Sequence, residues 1–214
     1  MKSLEQFIEA LKNKQSLLLL ALGDSNTDNT GFTGGAKQWP ELLHTRLKQH
    51  YQTLRLLCLN AGISGDTVQK ILARFETDVA RFKPDCCILC IGSNDANQLT
   101  DEAFRIGLQE IISRLQAMDT LVILRTPTPI WERGKGYNRI WPDDLRLQAK
   151  VNIIRETAAS ANLPLVDTYK HWQDAAAAGT LDPHTLFTDE VHTNAAGHRL
   201  VYEELLPLFQ CPIA

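Results

Sequence analysis

Two rhythms of apolar and polar positions run through this chain. Short segments that are apolar at nearly every position recur at residues 17–22 (LLLLAL), 54–60 (LRLLCLN), 86–92 (CCILCIG), 121–126 (LVILRT) and 163–167 (LPLVD). Each is too short for a helix and too continuously apolar for a strand with one wet face, so each reads as a buried strand of a parallel sheet. Residues 38–50, 67–82, 101–118, 143–161 and 194–209 instead repeat their apolar positions at helical spacing, and MKSLEQFIEALKNKQ at the start reads as an amphipathic helix. Strand and helix alternate, which predicts an α/β fold: a three-layer αβα sandwich, flavodoxin-like, with about five parallel strands and helices on both faces, as one domain over residues 1–214.

Local chemistry agrees with these boundaries. Asp66 or Thr67 can cap the helix that follows, Thr100 with Asp101 and Glu102 opens the next, and Pro142-Asp143-Asp144 precedes the fourth. Lys83-Pro84-Asp85 and Asn162-Leu163-Pro164 turn the chain back into strands.

The 214 residues are 44% hydrophobic and 22% charged, which excludes disorder and suffices for a core without staples. Twenty-two Lys and Arg against 25 Asp and Glu give a net charge of −3 and a pI near 6.1, with no basic surplus for nucleic acid. The longest apolar run, Leu17 to Leu22, is far below the roughly 20 residues a bilayer requires. With two Glu in its first fifteen residues the N-terminus lacks the character of an export signal, so the expected location is cytoplasmic. Five cysteines, two of them the neighbours Cys86 and Cys87, do not suit a disulfide framework. Cys87 and Cys90 spell C-x-x-C, yet their odd separation on a strand sends them to opposite faces, so they read as packing residues.

Ligands of open parallel sheets bind beyond the carboxyl ends of the strands. The loops there carry Gly23-Asp24-Ser25-Asn26-Thr27, then Asn60 to Thr67, Gly92-Ser93-Asn94-Asp95 and Thr126-Pro127-Thr128-Pro129. Ser25 can project its hydroxyl from a tight turn as a nucleophile, or cap and bend the chain like any turn serine. A serine nucleophile needs a His base with an orienting carboxylate. His44, His50 and His171 lie on helix-like stretches as surface residues, and His198 lies inside the terminal helix. His184 with Asp182 competes with His192, whose Asp189 stands three residues earlier and can turn back onto Nδ1. A D-x-x-H taken alone is equally a surface pair. The Ser25 and Gly65 amides and the Asn94 side chain could converge as oxyanion donors, although Gly and Asn after strands also serve plain turns.

These blocks together resemble the SGNH hydrolases, or GDSL esterase/lipase family: GDS at 23–25, N-x-G-x-x-G-x-T at 60–67, G-x-N-D at 92–95 and D-x-x-H at 189–192, in the family's order. The resemblance implies Ser25 as nucleophile, His192 as base and Asp189 as its orienter, with Ser25, Gly65 and Asn94 forming the oxyanion hole. It implies hydrolysis of short-chain acyl esters through an acyl-enzyme, with no metal and no cofactor, on a small-molecule substrate such as an O-acetylated carbohydrate. Thioesterase or lysophospholipase activity is the alternative on the same scaffold, and a non-catalytic binder of acylated ligands is a further one. Two departures stand out: Asn26 where the family name records Leu, a freely varying position, and Thr193 where many members carry Pro, which touches the local loop geometry. Asp182 and His184 match nothing in the pattern. A metallohydrolase built on Asp182, His184, Asp189 and His192 lacks a tight zinc spacing, and the first loop lacks a nucleotide-binding fingerprint. Trp39-Pro40 and residues 130–137 either line the mouth of the pocket or serve as helix packing and surface loop.

Overall fold

A computed structural model describes residues 2–28, 31–130 and 144–213, without the side chain of Asp144. Strands β1 (Leu17–Gly23), β2 (Leu56–Gly62), β3 (Cys86–Cys90), β4 (Leu121–Arg125) and β5 (Leu165–Val166) form one all-parallel sheet in the order β2-β1-β3-β4-β5. The helices are α1 (Leu4–Lys12), α2 (Trp39–Tyr51), α3 (Val68–Ala73), α4 (Phe75–Asp78), α5 (Asp95–Gln98), α6 (Asp101–Ala117), α7 (Asp144–Ser160), α8 (Thr168–Ala177) and α9 (Ala195–Leu205). None of the described helices is long and apolar enough to cross a membrane.

The uniformly apolar strands are explained by the two-residue side-chain period. Leu19, Ala21, Cys86, Ile88, Leu121 and Ile123 pack toward α1, α2, α8 and α9, while Leu20, Leu22, Cys87, Leu89, Val122 and Leu124 pack toward α3, α4, α6 and α7. Both faces are thus covered, as the three-layer reading expects. Cys87 joins the second of these layers, and all five cysteines are free thiols.

The differences from the sequence reading have local causes. β2 starts two residues later than expected, leaving Leu54 outside it and 88% exposed. As an edge strand it is only partly covered, and Leu57 is 62% exposed despite lying in an apolar run. His44, expected at the surface, is half-buried and its Nε2 meets the Leu56 carbonyl at 2.8 Å. The expected helix over 67–82 breaks into α3, α4 and a 3₁₀ turn at Ala80–Phe82. Arg74 stands at the break, its guanidinium bonded to Asp66 (2.8 Å), Asp78 (3.1 Å) and the Ala61 carbonyl (2.7 Å). The last helix ends at Leu205 and tightens into a 3₁₀ turn at Leu206–Phe209, where Pro207 has no N–H to continue the ladder. α8, absent from the strand-helix alternation read above, is capped by the Asp167 carboxylate on the Lys170 N–H.

The edge and the centre of the sheet therefore respond differently to truncation. Ile88→Ala should cost about 2–5 kcal/mol of stability, whereas Leu57→Ala should stay within about 0.5 kcal/mol of wild type. Urea unfolding of both variants checks this contrast.

Candidate active site

β2 lies on one side of β1 and the later strands on the other, so the chain reverses its direction of growth between β1 and β3. A crevice opens beyond the carboxyl ends at such a reversal. Gly23 ends β1 so close to β3 that a Cβ there would stand 2.2 Å from the Cys90 carbonyl oxygen, and only glycine fits. The chain then turns on Asp24, whose carbonyl accepts from the Thr27 and Asp28 amides (3.0 and 3.1 Å) and whose Oδ1 accepts from Asn26 N–H (3.0 Å). Ser25 sits at the head of this turn.

The loop before α9 brings the imidazole to it from 167 residues away: His192 Nε2 is 3.1 Å from Ser25 Oγ. On the other side of the ring, Nδ1 is 2.8 Å from Asp189 Oδ2. Asp189 Oδ1 also accepts the backbone N–H groups of Val191 (2.8 Å) and His192 (2.6 Å), which fixes the carboxylate on its own loop. Burial alone would raise the Asp189 carboxyl, but the His192 and Val191 donors outweigh it and hold its pKa below the ordinary value. A charged carboxylate on Nδ1 selects the tautomer that leaves Nε2 as acceptor toward Ser25. His184, the competitor, is exposed, and its amide caps on Asp182 Oδ1 at 3.0 Å in a separate turn.

The donor loops are braced against each other. Gly65 adopts φ +80°, a left-handed conformation that a side chain would strain. Asn94 donates one amide hydrogen to the Asp66 carbonyl (3.0 Å), leaving its second N–H available. Asp95 Oδ1 accepts the Val68 N–H (2.9 Å), and Arg74 ties Asp66 to the end of β2. Among the described residues, neither the Ser25 nor the Gly65 amide donates to another group. Neutral N–H donors from the loops after β1, β2 and β3 are suited to an oxygen that gains negative charge. Two carboxyls lie beneath them. Burial pushes Asp24 up to about 6 against its Asn26 bond and the Arg125 cation, and pushes Asp95 up to about 7 against the Val68 bond.

Sequence reasoning missed the residues that join the serine and histidine loops. Asn26 Oδ1 accepts from the Thr193 N–H (3.2 Å) and hydroxyl (3.3 Å), its Nδ2 donates to the Val191 carbonyl (3.3 Å), and its carbonyl accepts from Trp39 Nε1 (3.2 Å). The position judged free to vary is thus a bridge, and its partner is the other departure, Thr193. His198 Nδ1 accepts from the Trp39 N–H (3.3 Å), so a neutral ring carries its proton on Nε2, 3.2 Å from the Thr193 hydroxyl. Burial, with Arg125 nearby, lowers the His198 pKa to about 3. Trp39 is fully buried and belongs to this network, which settles its reading as packing rather than pocket mouth. The 130–137 segment beyond Ile130 lies outside the described residues.

Asn26→Leu removes three side-chain bonds between the loops and should lower kcat/KM by roughly 10²-fold, the scale of a misplaced reacting group, as read from steady-state kinetics. His198 gives a pH signature. The unfolded imidazole takes a proton near 6.5 and the folded one only near 3, so the stability carried by the neutral ring is present above pH 6.5 and lost as pH falls toward 3. The stability difference between wild type and His198→Gln should therefore move in the variant's favour by up to about 1.4 kcal/mol per pH unit between pH 6 and 4, measured by urea unfolding across pH.

Known proteins resemble this chain in sequence and fold. The sequence profile of the GDSL-like lipase/acylhydrolase family matches residues 21–200. An acetylxylan esterase of Geobacillus stearothermophilus is 28% identical over 169 residues, covering 75% of each chain. An uncharacterized lipoprotein, YqeF, of Bacillus subtilis is 28% identical over 219 residues, covering 86% of each. The crystal structure of the acetylxylan esterase Axe2 of Geobacillus stearothermophilus superposes with a TM-score of 0.76 at 25% identity, over 90% of this chain and 94% of that one. The chain belongs to the GDSL-like lipase/acylhydrolase family and is a carboxylic ester hydrolase.

Proposed function

We propose that Ser25, His192 and Asp189 form the catalytic triad, with the Ser25 and Gly65 amides and the Asn94 side chain as the oxyanion hole. The observation that carries this is the single imidazole spanning Ser25 Oγ at 3.1 Å and Asp189 at 2.8 Å. Ser25 Oγ attacks the ester carbonyl carbon as its proton passes to His192 Nε2. Asp189 keeps the resulting imidazolium oriented and charge-balanced. The tetrahedral oxyanion collapses, the C–O bond to the alcohol breaks, and His192 returns the proton to the leaving oxygen. Water then attacks the acyl-enzyme with His192 again as base, releasing the acid and restoring Ser25. No step in this scheme calls on a metal or cofactor.

The substrate reading is a short acyl ester, with O-acetyl groups of carbohydrates as the favoured case, supported by the acetylxylan esterases among the similar proteins. The same reading treats residues 1–214 as one domain and places the protein in the cytoplasm, supported by the five free thiols.

Ser25→Ala should abolish release of p-nitrophenol from p-nitrophenyl acetate, and full activity in that variant would overturn the triad. Asn94→Ala should lower kcat by about 10²–10³-fold, while His184→Ala should stay near wild type. Acetate release from acetylated xylooligosaccharides, set beside p-nitrophenyl esters of increasing chain length and an acyl thioester, decides the substrate class. Preference for the thioester or for long chains would overturn the carbohydrate reading.

A further inference from the structure

One aromatic contact at the site is not accounted for by the triad or the oxyanion donors. Phe32, in the loop between β1 and α2, stacks its ring on the His192 imidazole, with centroids 3.7 Å apart and planes 8° from parallel. Both main chains are fixed by a single residue. Thr188 donates its backbone N–H to the His192 carbonyl (2.8 Å) and its hydroxyl to the Phe32 carbonyl (2.8 Å). The edge of the imidazole is occupied by Asp189 and Ser25, so the phenyl ring takes a face that hydrogen bonds do not use.

From this geometry we infer that Phe32 is a positioning residue for His192, an inference that rests on His192 being the base. Two consequences follow from a ring lying flat on an imidazole. Rotation about the Cβ–Cγ bond is blocked, so both in-plane hydrogen bonds keep their alignment. Once the Ser25 proton has moved, the ring beneath Phe32 is a cation lying on the negative face of a π system, a contact worth more than the stacking of two neutral rings. The charged groups facing that cation are Asp189 on its own loop and Asp24 on the β1 loop. Phe32 acts from the remaining side and adds no charge. A ring serving only as packing would alter stability alone, and one serving as a substrate wall would alter KM.

Phe32→Leu keeps an apolar cover and removes the π face, whereas Phe32→Tyr keeps both. On p-nitrophenyl acetate, Phe32→Leu should lower kcat by about threefold to thirtyfold with KM within about twofold, and Phe32→Tyr should retain at least about half of wild-type kcat. Labelling by a fluorophosphonate, which needs an activated Ser25 and little substrate binding, should slow in Phe32→Leu by the same factor. Thr188→Val, which frees the Phe32 carbonyl but keeps the N–H bond to His192, should show a smaller loss in the same direction and keeps the test open should Phe32→Leu fold poorly. Unchanged kcat and labelling in Phe32→Leu, a rise in KM alone, or a Phe32→Tyr variant as slow as Phe32→Leu would overturn the inference while leaving the triad intact. A wild type that neither turns over ester nor takes the label overturns the triad reading and this inference with it.

Discussion

Everything at this site depends on holding two loops from opposite ends of the chain at hydrogen-bond distance. Ser25 rides on the first strand of the sheet, but His192 belongs to no strand and reaches it across 167 residues. Sheet register alone fixes only the first of the two. The second is fixed by a polar bridge, in which the Asn26 side chain bonds Val191 and Thr193 on either side of His192. Because Trp39 and His198 anchor that bridge from α2 and α9, the Ser-His distance is built into the packing of two helices on one face of the sheet. A hydroxyl–imidazole pair held this way keeps its geometry without further rearrangement of its two loops.

The electrostatic setting of the pair follows from burial more than from ion pairing. His198 is held neutral, which preserves its directional role as acceptor at Nδ1 and donor at Nε2 through mildly acidic pH. Asp24 and Asp95 run in the opposite sense. Their folded pKa values are raised, so the stability they contribute is fully present below the ordinary carboxylate value of 3.8 and erodes as pH rises through about 6 and 7. One oxygen of Asp95 accepts the Val68 amide, and the other accepts no hydrogen bond among the described residues. A buried oxygen without a donor disfavours the charged form. Burial thus raises Asp24 and Asp95 behind the neutral N–H donors, while Asp189, held below its ordinary value, stands as the carboxylate on His192 Nδ1.

Much of this was legible in the sequence because it was written in short-range patterns. Continuous apolar runs announced strands covered on both faces, the loops leaving them carried Ser25, Gly65 and Asn94, and the loop before the last helix carried Asp189 and His192, all in recognisable blocks. What escaped was set by the neighbours of a residue in space. Leu57 belongs to an apolar run yet is exposed, because edge position is a property of strand order. The break at Arg74 has no helix-breaking residue to announce it; three acceptors around one guanidinium outcompete the helix. His198 read as an ordinary helical residue because its partners, Trp39 and Thr193, lie 159 and 5 positions away. Asn26 looked interchangeable because its contacts lie at the far end of the chain.

The Asn26–Thr193 pair also constrains how this chain can change over evolutionary time. A proline at 193 has no N–H and no hydroxyl, so it would strip both donors from Asn26 Oδ1 and leave a buried amide oxygen unsatisfied. A leucine at 26 would remove the acceptor and strand the Thr193 amide instead. Each substitution alone leaves a polar group of the bridge without its partner, and His198 Nε2 and the Val191 carbonyl depend on the same two side chains. The two positions are therefore coupled, and a serine loop transplanted into this scaffold carries its histidine loop with it or arrives without its partner.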